Sequence, residues 1–130
     1  MDLDDIRRNA LAARQFTLQV GGCSFTLRLP TRHEASVAYT RVGRHEGEPD
    51  SAAMVRWQRA ILVPAVVGWS GVLLQHVLPD EPGGAQALPW EPAAVELVLD
   101  AQPEWDDQLT RALLDHLAKR RAVEDTAAKN

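Results

Sequence analysis

The side chains able to do chemistry are few and scattered. His33, His45, His76 and His116 show no His-x-x-x-His or Glu-x-x-His spacing that would set two ligands on one helical face. A metal site is therefore not expected, and neither is a cofactor. The lone Cys23 stands beside Gly21-Gly22 with no neighbouring cation in sequence to stabilise a thiolate, so it is a poor nucleophile and can form no internal disulfide. The acidic pairs Asp106-Asp107 and Asp80-Glu81 fall in the opening turn of an expected helix and in a loop, where solvated charge explains them. Neither Gly21-Gly22 nor Gly83-Gly84 belongs to a phosphate-binding pattern; both suit turns. No enzyme is legible, and a small-molecule pocket near His76 or His116 would lack convergent polar groups.

The elements around these residues predict an α+β fold, mainly α, with an N-terminal two-stranded β-hairpin packed on a bundle of about four helices. Phe16, Leu18 and Val20 alternate with polar residues, as do Phe25, Leu27 and Leu29, with Gly21-Gly22 between the two runs and Pro30 after them. That is a hairpin over 16–29, its apolar face covered by the chain's own helices in preference to another chain's edge. Thr31 and Glu34 form a capping box that opens a helix over about 32–45, with Ala35, Ala38, Tyr39 and Val42 as its stripe. A second helix is expected over 51–68, kinked at Pro64, with Trp69 turned back onto the core. Pro92 at a first helical position opens a third over 92–101, and Pro103 a fourth over 103–123. Residues 1–15 form an arm or short helix with Leu3, Ile6, Ala10 and Ala13 on one face, and 124–130 a loose tail. The expected core includes Trp57, Ile61, Trp69, Val72, Trp90 and Trp105.

At 130 residues this is one domain, and its 45% hydrophobic and 25% charged residues are those of an ordinary soluble protein. A net charge of −4 argues against nucleic acid as the principal partner. The run 60–78, AILVPAVVGWSGVLLQHVL, approaches membrane-spanning length, but Pro64, Gly68, Ser70, Gly71, Gln75 and His76 interrupt it, which favours a core segment over a membrane span. With one cysteine and no recognisable leader, a reducing cytoplasm is the expected location.

The order of the pieces adds a resemblance. An FTLQV-GG-CSFTLRLPT opening, RWQRAILVPAVVGWSGV, LPWEPAAVELVLDAQPEW and a charged last helix resemble the tail assembly chaperones of long-tailed (siphovirus-type) phages and prophages over residues 16–130. VVGWSGV at 66–72 followed by Leu88-Pro89-Trp90 carries most of the likeness, whereas the DEPGGAQA loop and Pro64 depart from it. The resemblance implies a non-enzymatic role in the bacterial host cytoplasm. Such a protein binds the tape measure protein, a long aggregation-prone helical client, and helps recruit tail tube subunits. This chain would be the short form where a frameshift makes a longer one. Partner contact is expected from the N-terminal arm (Leu3, Ile6), the outer edge of the hairpin and the last helix (Leu109, Leu113, Leu117), with homo-oligomer formation left open. The alternatives are another tail or head-completion component, or a small-molecule-binding protein.

Overall fold

The computed structural model describes residues 1–129. Its elements run α1 (Leu3–Ala13), β1 (Gln15–Val20), β2 (Cys23–Arg28), α2 (Arg32–Val42), α3 (Asp50–Ala65), β3 (Val66–Ser70), a 3-10 turn (Leu74–His76), α4 (Pro92–Ala101) and α5 (Pro103–Lys129). The fold is mostly helical α+β with an N-terminal hairpin, as the periodicities predict. β1 and β2 pair antiparallel from Gln15↔Arg28 to Val20↔Cys23. Gly21 and Gly22, at φ 59° and 79°, supply the two left-handed residues of the tight connection. Val20, Cys23, Phe25 and Leu27 face inward and are buried, because alternate side chains of a strand share one face. The Thr31–Glu34 capping box forms in both directions at the start of α2. α2 ends at Gly43, φ 59°, earlier than the expected 45.

The main correction lies at residues 66–70. The expected helix over 51–68 stops at Ala65, and Val66–Ser70 becomes a third strand, antiparallel to β2, giving the order β1-β2-β3. Pro64 therefore sits in the last helical turn, where it ends the helix and does not kink a longer one. It has no N–H for the carbonyl four residues back, and β-branched Val66 and Val67 suit an extended backbone. Leu27 pairs with Val66 and Thr26 with Gly68, so Val67 is an extra residue and β3 carries a bulge. Trp69 consequently packs from a strand, edge-on to Phe25 with ring centroids 6.1 Å apart, and it is half-buried.

The remaining helices close the inner face of the sheet. Val95, Val98 and Leu99 of α4 and Trp105, Leu109, Leu113 and Leu117 of α5 join Phe25, Leu27, Leu29, Ile61, Leu62, Val66 and Val72 in a single apolar core. Ile61, Val72 and Trp105 are buried as expected, while Trp57, Trp69 and Trp90 pack against the core from its rim. Each rim indole has an outlet for its N–H: Trp57 to Ala35 O (3.4 Å), Trp69 to Leu88 O (2.8 Å) and Trp90 to Val66 O (3.2 Å). The DEPGGAQA loop is held to the segment before it by Leu88 N–H to Val72 O (2.8 Å) and Leu74 N–H to Gln86 O (2.8 Å).

Helix α5 also corrects an expectation. Its helicity persists beyond Val123 to Lys129, where a loose tail over 124–130 is expected from sequence; Asn130 lies outside the described residues. Glu124 and Asp125 explain the extension, because Arg32 reaches both (3.3 and 2.5 Å) and Arg14 reaches Glu124 (3.5 Å). These pairs tie the tail of α5 to the start of α2 and to the base of the N-terminal arm.

Candidate interaction surface

The chemistry-bearing residues have structural tasks. The Cys23 thiol is buried and donates to Gly71 O at 3.2 Å, and burial pushes its pKa up, away from thiolate reactivity. His76 Nδ1 accepts the Leu73 N–H (2.9 Å) while its ring meets Trp105 edge-on at 4.8 Å. His116 stacks on Phe16 with centroids 3.8 Å apart. Asp100 and Asp106 each accept from Arg59, at 2.8 and 2.7 Å, which joins α3 to α4 and α5. Among the described residues no cluster of His, Cys, Asp and Glu could hold a metal ion, and no buried side-chain polar atom lacks a partner.

Of the residues expected to meet a partner, the structure separates two groups. Leu109 and Leu113 are fully buried and Leu117 is nearly so, all three directed into the core. They are corrected from partner-binding to core residues: their stripe is the one the sheet and α4 cover, and it is unavailable to a second protein. Leu3 and Ile6 are 60% and 50% exposed, with Leu11 exposed beside them, and no residue of α1 is buried. α1 is amphipathic, capped at Asp2 by reciprocal hydrogen bonds with Asp5 (2.8 and 3.2 Å), and its apolar stripe has no cover. Arg14 fixes its base by donating to Leu29 O (3.0 Å) and Pro30 O (2.6 Å).

A second apolar surface was not legible as such. Between α2 and α3 lies a groove of about 440 Å³ lined by Tyr39, Val42, Ala53, Met54 and Trp57, with Arg44 and Asp50 on its rim. Tyr39 is 66% and Met54 52% exposed. The Ala35, Ala38, Tyr39 and Val42 stripe of α2 reads in sequence as a burying face, but within α2 Ala35 alone is buried, and Tyr39 and Val42 line the groove. On the other flank of α2 a shallower groove of about 290 Å³ runs past Val37, Ala38, Ala60 and Pro64. The helix pair is held in place at its linker. Arg56 grips the Glu48 carboxylate in two-pronged fashion (2.7 and 2.6 Å) while its other N–H groups reach Val42 O and Gly43 O (3.1 and 3.0 Å). The Arg56 hydrogen bonds, together with the His45 N–H at 2.8 Å, hold the Glu48 carboxyl down at about 2.

The α2–α3 groove is lined mainly by apolar side chains, whereas the groove on the other flank of α2 also has Arg28, His33, Glu34 and Arg41 in its wall. No helix among the described residues is long and apolar enough to cross a membrane. In comparisons with known proteins, no family model matches the chain, and no curated protein or solved structure proves similar to it.

Proposed function

We propose that this chain is a non-enzymatic tail assembly chaperone of a long-tailed phage or prophage, which binds the tape measure protein in the host cytoplasm, keeps it soluble and helps recruit tail tube subunits. The observation that carries the reading is the pair of uncovered apolar surfaces, the α2–α3 groove and the α1 stripe, on a domain in which, among the described residues, every buried side-chain polar atom has a partner. A groove between two helices, apolar inside and charged at the rim, suits an amphipathic helix presenting anchors at one-turn spacing. A long helical client offers many such stripes, and weak sites repeated along one client add up through avidity while each releases easily.

The residues behind the family resemblance support the same reading in another way. Trp69 of VVGWSGV donates to Leu88 O, and Trp90 of LPW donates back to Val66 O, so the two halves of the pattern are stitched together by their indoles. That reciprocal bond gives a physical reason for the pattern to occur as a unit.

Co-expression with the tape measure protein of the same phage or prophage tests the proposal. The client is expected in the soluble fraction, captured with the chaperone. Tyr39→Asp with Met54→Asp should abolish capture and leave the circular dichroism spectrum unchanged, because both side chains are solvent-exposed. A client that stays insoluble or uncaptured beside the intact chain refutes it.

A further inference from the structure

We propose that the outer edge of β1 pairs antiparallel with β1 of a second copy of this chain, joining two three-stranded sheets into one. The inference does not depend on the chaperone reading. β1 is the outer strand of the β1-β2-β3 order, and among the described residues no strand lies on its other side. The parity of its hydrogen bonds follows from the hairpin. Arg14 O accepts the Leu29 N–H at 2.8 Å, and Val20 and Cys23 flank the two-residue turn, so residues 14, 16, 18 and 20 bond toward β2. The N–H and C=O groups of Gln15, Thr17 and Gln19 therefore point outward.

Natural edge strands usually carry a guard against such pairing, in the form of a charge, a proline, a bulge or a covering loop. β1 has none of these. QFTLQV is uncharged from end to end, contains no proline and pairs with β2 in unbroken register. The other edge of the sheet is guarded: β3 has its bulge, and Trp90 donates to Val66 O from outside the ladder.

The edge is also self-complementary. A two-fold axis through Thr17 sets Thr17 against Thr17 of the second copy, Gln15 against Gln19, and Phe16 against Leu18. Like polar groups then meet on the outer face, half-buried apolar groups meet on the inner one, and no like charges oppose each other. Two strands bury less than the roughly 1,200–2,000 Å² typical of stable interfaces. Further apolar surface is exposed on α1, the element that leads directly into β1, at Leu3, Ile6 and Leu11.

Sedimentation of the full chain over a range of concentrations tests this, with three substitutions at Thr17, whose side chain is exposed and whose N–H the hairpin does not use. The wild-type chain is expected to dimerise reversibly. Thr17→Pro removes one outward donor from each copy and should weaken the dimer by at least about tenfold. Thr17→Lys and Thr17→Glu place like charges opposite each other and should each weaken it, while an equimolar mixture of these two variants recovers the association. Thermal melts followed by circular dichroism must show each variant folded, and the charge pair keeps the test valid if the proline variant does not fold. A wild-type chain that stays monomeric overturns the proposal. So does a dimer that all three substitutions leave intact, or a monomer whose capture of an extended client segment is what Thr17→Pro destroys.

Discussion

The contact between the hairpin turn and Trp105 can be measured with a pair of neighbouring glycines. Gly21 and Gly22 both have positive φ, 59° and 79°, so alanine at either costs about 1–2 kcal/mol in backbone strain. Their surroundings differ. A methyl at Gly22 meets nothing within 4 Å, whereas one at Gly21 overlaps the Trp105 indole at Nε1, Cε2 and Cζ2. That ring cannot retreat, since Phe25 lies edge-on at 5.9 Å and His76 at 4.8 Å on a side chain only 7% exposed. Overpacking a closed site costs a further ~1–3 kcal/mol, which brings Gly21→Ala to about 2–5 kcal/mol against about 1–2 for Gly22→Ala. For a domain whose whole stability is of order 5–15 kcal/mol, the difference is well within reach of urea unfolding followed by far-UV circular dichroism. Trp105→Leu removes the ring and with it the overlapped atoms, so in that background the two alanine variants should converge. Equal destabilisation by the two glycine substitutions in the wild-type background would refute the packing argument. So would a difference that persists after Trp105→Leu.

Further outcomes follow from the same structure. Leu109→Ala and Leu113→Ala, at fully buried positions, should each cost about 3–4 kcal/mol in urea unfolding, whereas Val123→Ala on the exposed end of α5 should stay within about 0.5 kcal/mol. Equal effects would return α5 to the candidate binding surfaces. Glu48 titrates lower folded than unfolded, from an ordinary 4.5 down to about 2, so its contribution is complete above about 4.5 and fades as pH falls towards about 2. The stability gap between wild type and Glu48→Gln, measured by urea titration, should therefore be widest at neutral pH and shrink through that window. Cys23, buried with a raised pKa, should react with a thiol reagent only at the rate of unfolding, and a fast reaction in native buffer would contradict its placement.

Local chemistry made much of the fold legible. Alternation of apolar and polar residues around Gly21-Gly22 specifies a hairpin because turn and strands are neighbours in the chain, and the Thr31–Glu34 box and Pro92 mark helix starts through contacts within one turn. Apolar stripes were visible too, but a stripe does not say what covers it. The periodic leucines of α5 and the Tyr39–Val42 stripe of α2 look alike as patterns. The first is buried under the sheet and the second faces an open groove, a distinction set by elements far away in sequence.

The stretch 66–70 shows most plainly where sequence stopped. Val-Val-Gly-Trp-Ser fits the end of a buried helix or a strand equally well by periodicity, and what decides between them is the free edge of β2, some forty residues earlier in the chain, which offers a ladder that a helix end cannot use. The tail of α5 was likewise settled by Arg14 and Arg32, whose pairing with Glu124 and Asp125 no local rule anticipates. The sequence by itself determined the hairpin, its turn and the helix starts, all of which depend on residues within a turn or two of each other. Tertiary structure alone decided the third strand, the length of the last helix and which apolar faces remain open, because each depends on what packs against a segment and not on the segment itself.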